Sequence, residues 1–234
     1  AEYAESGSVT LNLGTGTNGV TIGAGVTTAQ TIAIVAGTDT VSASGSSAAM
    51  TFTAAAASIT SADTITGGSG SDTLTLTFAS DALSSTNAAN ITGIETIKTA
   101  SNTVGTLTLD DANNVSSVLT VNATANTGAA FTLDASNEND GTIVYVGGAG
   151  IDTVTGTDTT ATGDTIGGGA GADVITGGAG GDTITGGAGA DLFHYLAVAD
   201  STGTAKDSIT DFTSGTDFIS VVINNSTNTT GQTY

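Results

Sequence analysis

Three observations on the sequence predict an all-β protein, a right-handed parallel β-roll or β-solenoid. Residues 168–194 read GGAGADVIT, GGAGGDTIT and GGAGADLFH, three back-to-back copies of G-G-x-G-x-D-x-U-x in which U is a large apolar residue. The chain is rich in Thr, Ala, Gly and Ser, with 4% aromatic residues and no Trp, Pro or Cys, so only thin layers of Val, Ile, Leu and Ala can fill its core. Short runs alternating apolar and polar residues recur along the chain. Thr and Val favour strands there, and Gly works against long helices.

The nonapeptides carry the chemistry. Glycine reaches the backbone conformations of a sharp turn that points several carbonyls inward. Carbonyls with a carboxylate make a hard, all-oxygen site, which suits Ca2+ at six or more ligands. The x-U-x that follows is a short strand with its apolar residue on one face. Two nonapeptides complete a turn, so Asp164 stacks over Asp182 and Asp173 over Asp191, with an ion between stacked loops. Two further copies stand apart, GGSGSDTLT at 67–75 and GGAGIDTVT at 147–155, and residues 159–167 keep only Asp164 and Ile166. The candidate metal ligands are Asp72, Asp152, Asp164, Asp173, Asp182 and Asp191. The backbone of Gly168, Gly169, Ala170, Gly171, Gly177, Gly178, Gly180, Gly186, Gly187 and Gly189 joins them.

This array resembles the RTX (repeats-in-toxin) family, whose nonapeptides form a calcium-binding parallel β-roll. The phrase I-T-G-I-E-T-I at 91–97, after DTLTLTF and a short polar insert, further resembles surface-layer proteins of the RTX type. Residues 195–222 contain A-D-S-T followed by D-S-I-T-D-F-T-S-G-T-D-F-I, which resembles the cap after the roll in RTX-secreted proteases, departing from it at Ser220, where an Asp is usual. The resemblance implies that Asp200 and Asp207 ligate the terminal ions, that Asp211 caps a turn, and that Phe212 and Phe218 cover the last rung. It also implies type I secretion through an uncleaved C-terminal signal. The tail INNSTNTTGQTY does not clearly show one, and no signal peptide opens the chain, which is read as a fragment or a processed form.

Four segments follow in order. Residues 1–62 hold strands at SVTLNL (8–13), GVTI (19–22), TIAIV (31–35), DTVSAS (39–44) and MTFT (50–53), about ten residues apart, a β-sandwich-like or irregular-solenoid part with Asp39 as a turn residue and AAAA at 54–57 as strand-edge filler. Residues 63–146 hold solenoid rungs, with a helical turn in 81–90 capped by Ser80 or Asp81. Within them Leu107, Leu109, Leu119, Val121, Phe131, Leu133, Val144 and Val146 form the apolar set. Asp110, Asp111, Asp134, Glu138 and Asp140 are mostly solvated turn carboxylates. Residues 147–194 are the roll, whose register breaks once at the insertion 156–158, and residues 195–234 are the cap and tail.

Net charge is −20, from 22 acidic residues against Lys98 and Lys206 alone, which excludes nucleic acid and disfavours an anionic membrane surface. It also favours an open chain until cations arrive, so metal binding and folding are one event. Extracellular calcium modules bind at roughly 0.1–1 mM. No apolar run approaches the roughly 18 residues of a membrane-spanning helix. His194 is the single histidine, at the outward position of its repeat, and no nucleophile elbow, zinc-protease helix or aromatic-lined cleft is legible. The chain reads as no enzyme. The leading expectation is a secreted, calcium-folded structural protein that self-associates into a bacterial surface layer or extracellular filament, with a cell-surface polysaccharide as a candidate partner. The alternative is the C-terminal folding and secretion module of a larger type I-secreted enzyme or adhesin.

Overall fold

Alternating Thr and aliphatic residues put one apolar side chain on the inner face at every second position, and strands paired in parallel stack like over like. The computed structural model of the chain describes residues 2–3, 7–100, 102–113, 117–159 and 162–222. The chain winds into a β-solenoid of about 9 turns with almost no helix. One face is a ten-stranded sheet: Thr10–Asn12, Gln30–Ile34, Met50–Ala55, Thr73–Thr77, Thr96–Thr99, Val118–Asn122, Thr142–Val146, Thr165–Ala170, Thr183–Ala188 and Ser208–Ile209. The opposite face is split. Its N-terminal part has five strands, Glu2–Tyr3, Gly16–Ile22, Gly37–Ser42, Thr64–Thr66 and Ile91–Thr92. Its C-terminal part has seven, Asp81–Leu83, Gly105–Thr108, Phe131–Asp134, Thr153–Thr155, Val174–Thr176, Leu192–Tyr195 and Phe218–Val221.

Register turns these sheets into apolar ladders. Down the long sheet, Leu11, Ile32, Phe52, Leu74, Ile97, Val121, Tyr145, Ile166, Ile184 and Ile209 lie each over the next. Opposite them run Val20, Val41, Ile65 and Ile91, and then Leu83, Leu107, Leu133, Val154, Ile175, Phe193 and Ile219. Turn length is shortest in the roll and lengthens again to 25 residues between Asp182 and Asp207. Equivalent residues are 24 apart at Asp39 and Asp63, 21 apart at Asp152 and Asp173, and 18 apart at Asp164 and Asp182.

Several expectations change here. The first 62 residues share the parallel sheets of the rest of the chain, so the sandwich alternative falls. Asp39 lies inside the strand Gly37–Ser42, fully buried, and is no turn residue. Ala54 and Ala55 complete a strand, as filler should, but Ala56–Ser58 form a 3-10 turn. Among the described residues the one α-helical turn is Ser85–Ala88, capped by Ser84. Ser80 instead sits at φ 65 in a turn, and Asp81 starts a strand paired with Gly105. In the strand Thr142–Val146 the inward set is Ile143 and Tyr145, not Val144 and Val146, because Leu119 and Val121 beneath set the face. A tyrosine goes inward because its hydroxyl reaches the Asp152 carboxylate at 2.9 Å. The tail 223–234 lies outside the described residues.

Candidate metal centre

The sites are built where a turn meets a strand. An acid at the first position of a strand and an apolar residue two places on share the inward face, so the acid is drawn into the corner of the coil. Each carboxylate then accepts the backbone N–H of the equivalent residue one turn earlier. In one ladder Phe131 N–H donates to Asp152 at 3.1 Å, Asp152 to Asp173 at 2.8 Å, Asp173 to Asp191 at 2.9 Å and Asp191 to Asp217 at 3.1 Å. In the other, Ile143 donates to Asp164 at 2.8 Å, Asp164 to Asp182 at 2.8 Å and Asp182 to Asp207 at 3.0 Å. The stacking expected for Asp164 over Asp182 and Asp173 over Asp191 is therefore present.

These bonds satisfy one oxygen of each acid. The second oxygens of Asp173, Asp182 and Asp191 are buried and accept no hydrogen bond. Asp152 and Asp164 are better served: Asp152 Oδ2 accepts from Tyr145 and Gly148, and Asp164 Oδ2 from Thr157. Burial pushes all of these carboxyls above their usual range, Asp173 to about 6 and Asp182 to about 7, and for Asp173, Asp182 and Asp191 neighbouring acids push in the same direction. Columns of buried, half-satisfied carboxylates at one-turn spacing call for a cation between them.

Glycine makes the room. A Cβ on Gly177 would lie 2.2 Å from Asp182 Oδ2, and one on Gly186 would lie 2.4 Å from Asp191 Oδ2. A Cβ on Gly187, whose φ is +103°, would lie 1.9 Å from the carbonyl oxygen of Gly169 in the turn beneath. The first glycine thus leaves space beside the carboxylate. The second lets successive turns stack at close approach, with a backbone that L-residues seldom adopt. The donor set is all oxygen and the pocket anionic, so the residues present fit Ca2+.

The sequence-predicted residues are distributed as follows. Asp152, Asp164, Asp173, Asp182 and Asp191 converge on the two ladders, and Asp207 ends one of them. The glycines at 168, 169, 171, 177, 178, 180, 186, 187 and 189 line the turns between them, and Ala170 N–H donates to the Gly148 carbonyl beneath. Asp72 lies in a shorter column at the other end, accepting from Met50 and Gly68. Asp200 lies in the cap, where its carboxylate accepts Leu196 and Ala197 N–H, close enough for its charge to raise Asp182 and Asp207. Asp211 accepts both Gly186 and Gly187 N–H, capping the last roll turn. Phe212 does pack on Phe193, centroids 6.2 Å apart, but Phe218 is 61% exposed and covers little. His194 is half-buried in the strand Leu192–Tyr195 rather than free on the surface.

Four further ladder members, Asp39, Asp63, Glu95 and Asp217, are not among the sequence-predicted ligands. Asp39 N–H donates to Asp63 at 2.6 Å, Asp72 N–H to Glu95 at 2.6 Å and Asp191 N–H to Asp217. The signal that finds them is acid-x-apolar, without the glycines: Asp39 precedes Val41, Asp63 Ile65, Glu95 Ile97 and Asp217 Ile219 by two.

Comparison with known families agrees with this geometry. Residues 60–82 match the RTX calcium-binding nonapeptide repeat (4 copies), and residues 135–232 match the peptidase M10 serralysin C-terminal family. No curated protein and no solved structure matches the chain. The chain is similar over these stretches to RTX proteins, and its nonapeptide repeats are of the calcium-binding RTX type. The two matches together mark type I secretion to the extracellular space. The serralysin C-terminal region is a non-catalytic part of those proteases.

Proposed function

We propose that this is a calcium-folded structural protein that self-associates outside the cell into a surface layer or filament. The observation that carries the reading is the state of the ladder ends. Among the described residues, Ile219 and its neighbours Phe218 and Val221 are 52%, 61% and 56% exposed at one end, and Leu11 is 37% exposed at the other. Between these ends each strand of the ten-stranded sheet is paired with the next. Parallel strands with open edges and uncovered apolar steps are what a further copy of the same coil would cover. In this reading Asp152, Asp164, Asp173, Asp182 and Asp191 hold the folding ions, Asp200 and Asp207 close the terminal site, and Asp72 serves an outlying one. Residues 1–62 and 63–146 are the wall, 147–194 the ion-locked roll and 195–234 its cap.

The serralysin C-terminal match favours a second reading, the folding and secretion module of a larger exported enzyme. Sedimentation velocity in EGTA and then in millimolar Ca2+ separates the two. Growth into large, chelator-reversible particles supports assembly. A compact monomer at every protein concentration overturns it and leaves the module.

A further inference from the structure

The solenoid has a second way of filling its corners. At Gly23–Val26, Ala43–Ser46, Ala123–Asn126 and Ala135–Glu138, the N–H of the fourth residue closes on the carbonyl of the first at 2.8–3.1 Å. That fourth side chain is buried in every case: Val26 and Glu138 are 0% exposed, Ser46 and Asn126 1%. Three of these corner residues are uncharged. Glu138 is the exception, contrary to its expected place among solvated turn acids.

A carboxylate in such a slot needs a partner. Glu138 Oε1 accepts the N–H of Asp140 at 3.2 Å and of Gly141 at 3.0 Å, whereas Oε2 is buried and accepts no hydrogen bond. What faces it is more negative charge. Carboxylate oxygens of Glu138, Asp140 and Asp111 lie within 4.8 Å of one another. Asp111 belongs to the turn beneath and is held there by Asn139 N–H at 3.2 Å. Two oxygens bound at about 2.4 Å to one Ca2+ lie at most about 4.8 Å apart, so the three acids are spaced as ligands of a single ion. The chain's two cationic side chains, Lys98 and Lys206, are both exposed. Asp140 also lines an open cleft with Ser117, Val118, Thr142 and Thr159.

We propose that Asp111, Glu138 and Asp140 form a calcium site outside the nonapeptide repeats, pinning the turn 135–141 to the turn below it. It is a mixed site, one buried acid with two surface ones, where the roll uses glycine loops and stacked aspartates. Burial, with the Asp140 carboxyl beside it, raises the Glu138 carboxyl to about 7. The site stands whether or not the protein assembles.

The test counts ions on the whole chain by equilibrium dialysis against radioactive calcium at pH 8. Glu138→Gln keeps the shape and the acceptor for Asp140 and Gly141. The double variant Asp111→Asn, Asp140→Asn changes only exposed positions and reports should the first fail to fold. Each is expected to bind one Ca2+ fewer than the parent chain, the remaining ions being retained. A Sr2+ soak of parent crystals should place an anomalous peak beside Glu138. An unchanged ion count in the double variant, or Sr2+ peaks confined to the nonapeptide turns, overturns the site. So does a Glu138→Gln chain that binds as many ions as the parent and is more stable at pH 8, because Glu138 would then be held as a neutral acid.

Discussion

The same coil is held at its corners in two different ways. In the first half the turn folds a side chain inward, such as Val26 or Ser46, and the corner is filled by protein. In residues 168–194 the turn is glycine at positive φ, the corner is empty of side chains, and buried aspartate oxygens face it. The ten-stranded sheet runs unbroken through both regions, so on that face the difference lies in the corners and not in the strands. A filled corner is stable by burial alone, whereas a glycine corner spends backbone entropy and stacks like charges, costs that a bound cation would offset. The two isolated nonapeptides sit between these cases: their glycines lack the positive φ of residues 169, 171, 178, 180, 187 and 189.

Calcium removal should split the molecule along this line. In excess EGTA, amide exchange in Thr165–Ala170, Val174–Thr176, Thr183–Ala188 and Leu192–Tyr195 should approach that of an open chain, with Gln30–Ile34 and Met50–Ala55 still protected. Equal loss of protection in both halves would erase the distinction.

Gly187→Ala is the next largest effect. The backbone penalty alone is about 1–3 kcal/mol, before the collision with the Gly169 carbonyl. Gly128→Ala, where a Cβ meets nothing within 4 Å, should change the melting temperature little. Melting curves of the two variants in saturating calcium make the comparison, and similar losses would mean that close stacking is not what glycine provides.

Tyr145→Phe removes the hydroxyl that serves Asp152 and should cost about 1–2 kcal/mol by chemical denaturation. Because Asp152 would then depend more on its cation, the calcium midpoint should move as well. A stability loss with no change in calcium dependence would make the bond purely structural.

The smallest effect is that of pH on the calcium-free chain. Asp173 and Asp182 are raised in the fold to about 6 and about 7, so between the unfolded value near 4 and those values the folded state holds the extra protons. Their contribution is fully present below about pH 4 and is lost as pH rises through 6 to 7. Circular dichroism in EGTA should show structure gained on acidification from pH 8 to 5. In the same window protons compete with the ion, and more calcium should be needed to fold the chain.

Much of the site is legible in the linear chain because the nonapeptide is local: glycines, acid and apolar residue lie within nine positions. The stacking of Asp173 over Asp191 follows from that period alone. Glu95 and Asp217 were harder because their turns lack the leading glycines. What marks them as ladder members is a strand one turn away, at Asp72 and Asp191. The face of the strand Thr142–Val146 was undecided for a similar reason. Five successive strand-forming residues offer two inward sets, and only the register against Leu119 and Val121 chooses between them.

By itself the sequence determined the all-β class, the 18-residue turn of the roll, the oxygen-rich corners and the calcium-binding character of the repeats, since each rests on residues near neighbours in the chain. The tertiary structure alone decided that the N-terminal rungs share those sheets and that Glu138 is a buried corner acid beside Asp111. Those facts depend on which turn lies above which, and turns of 18 to 26 residues leave that choice to packing.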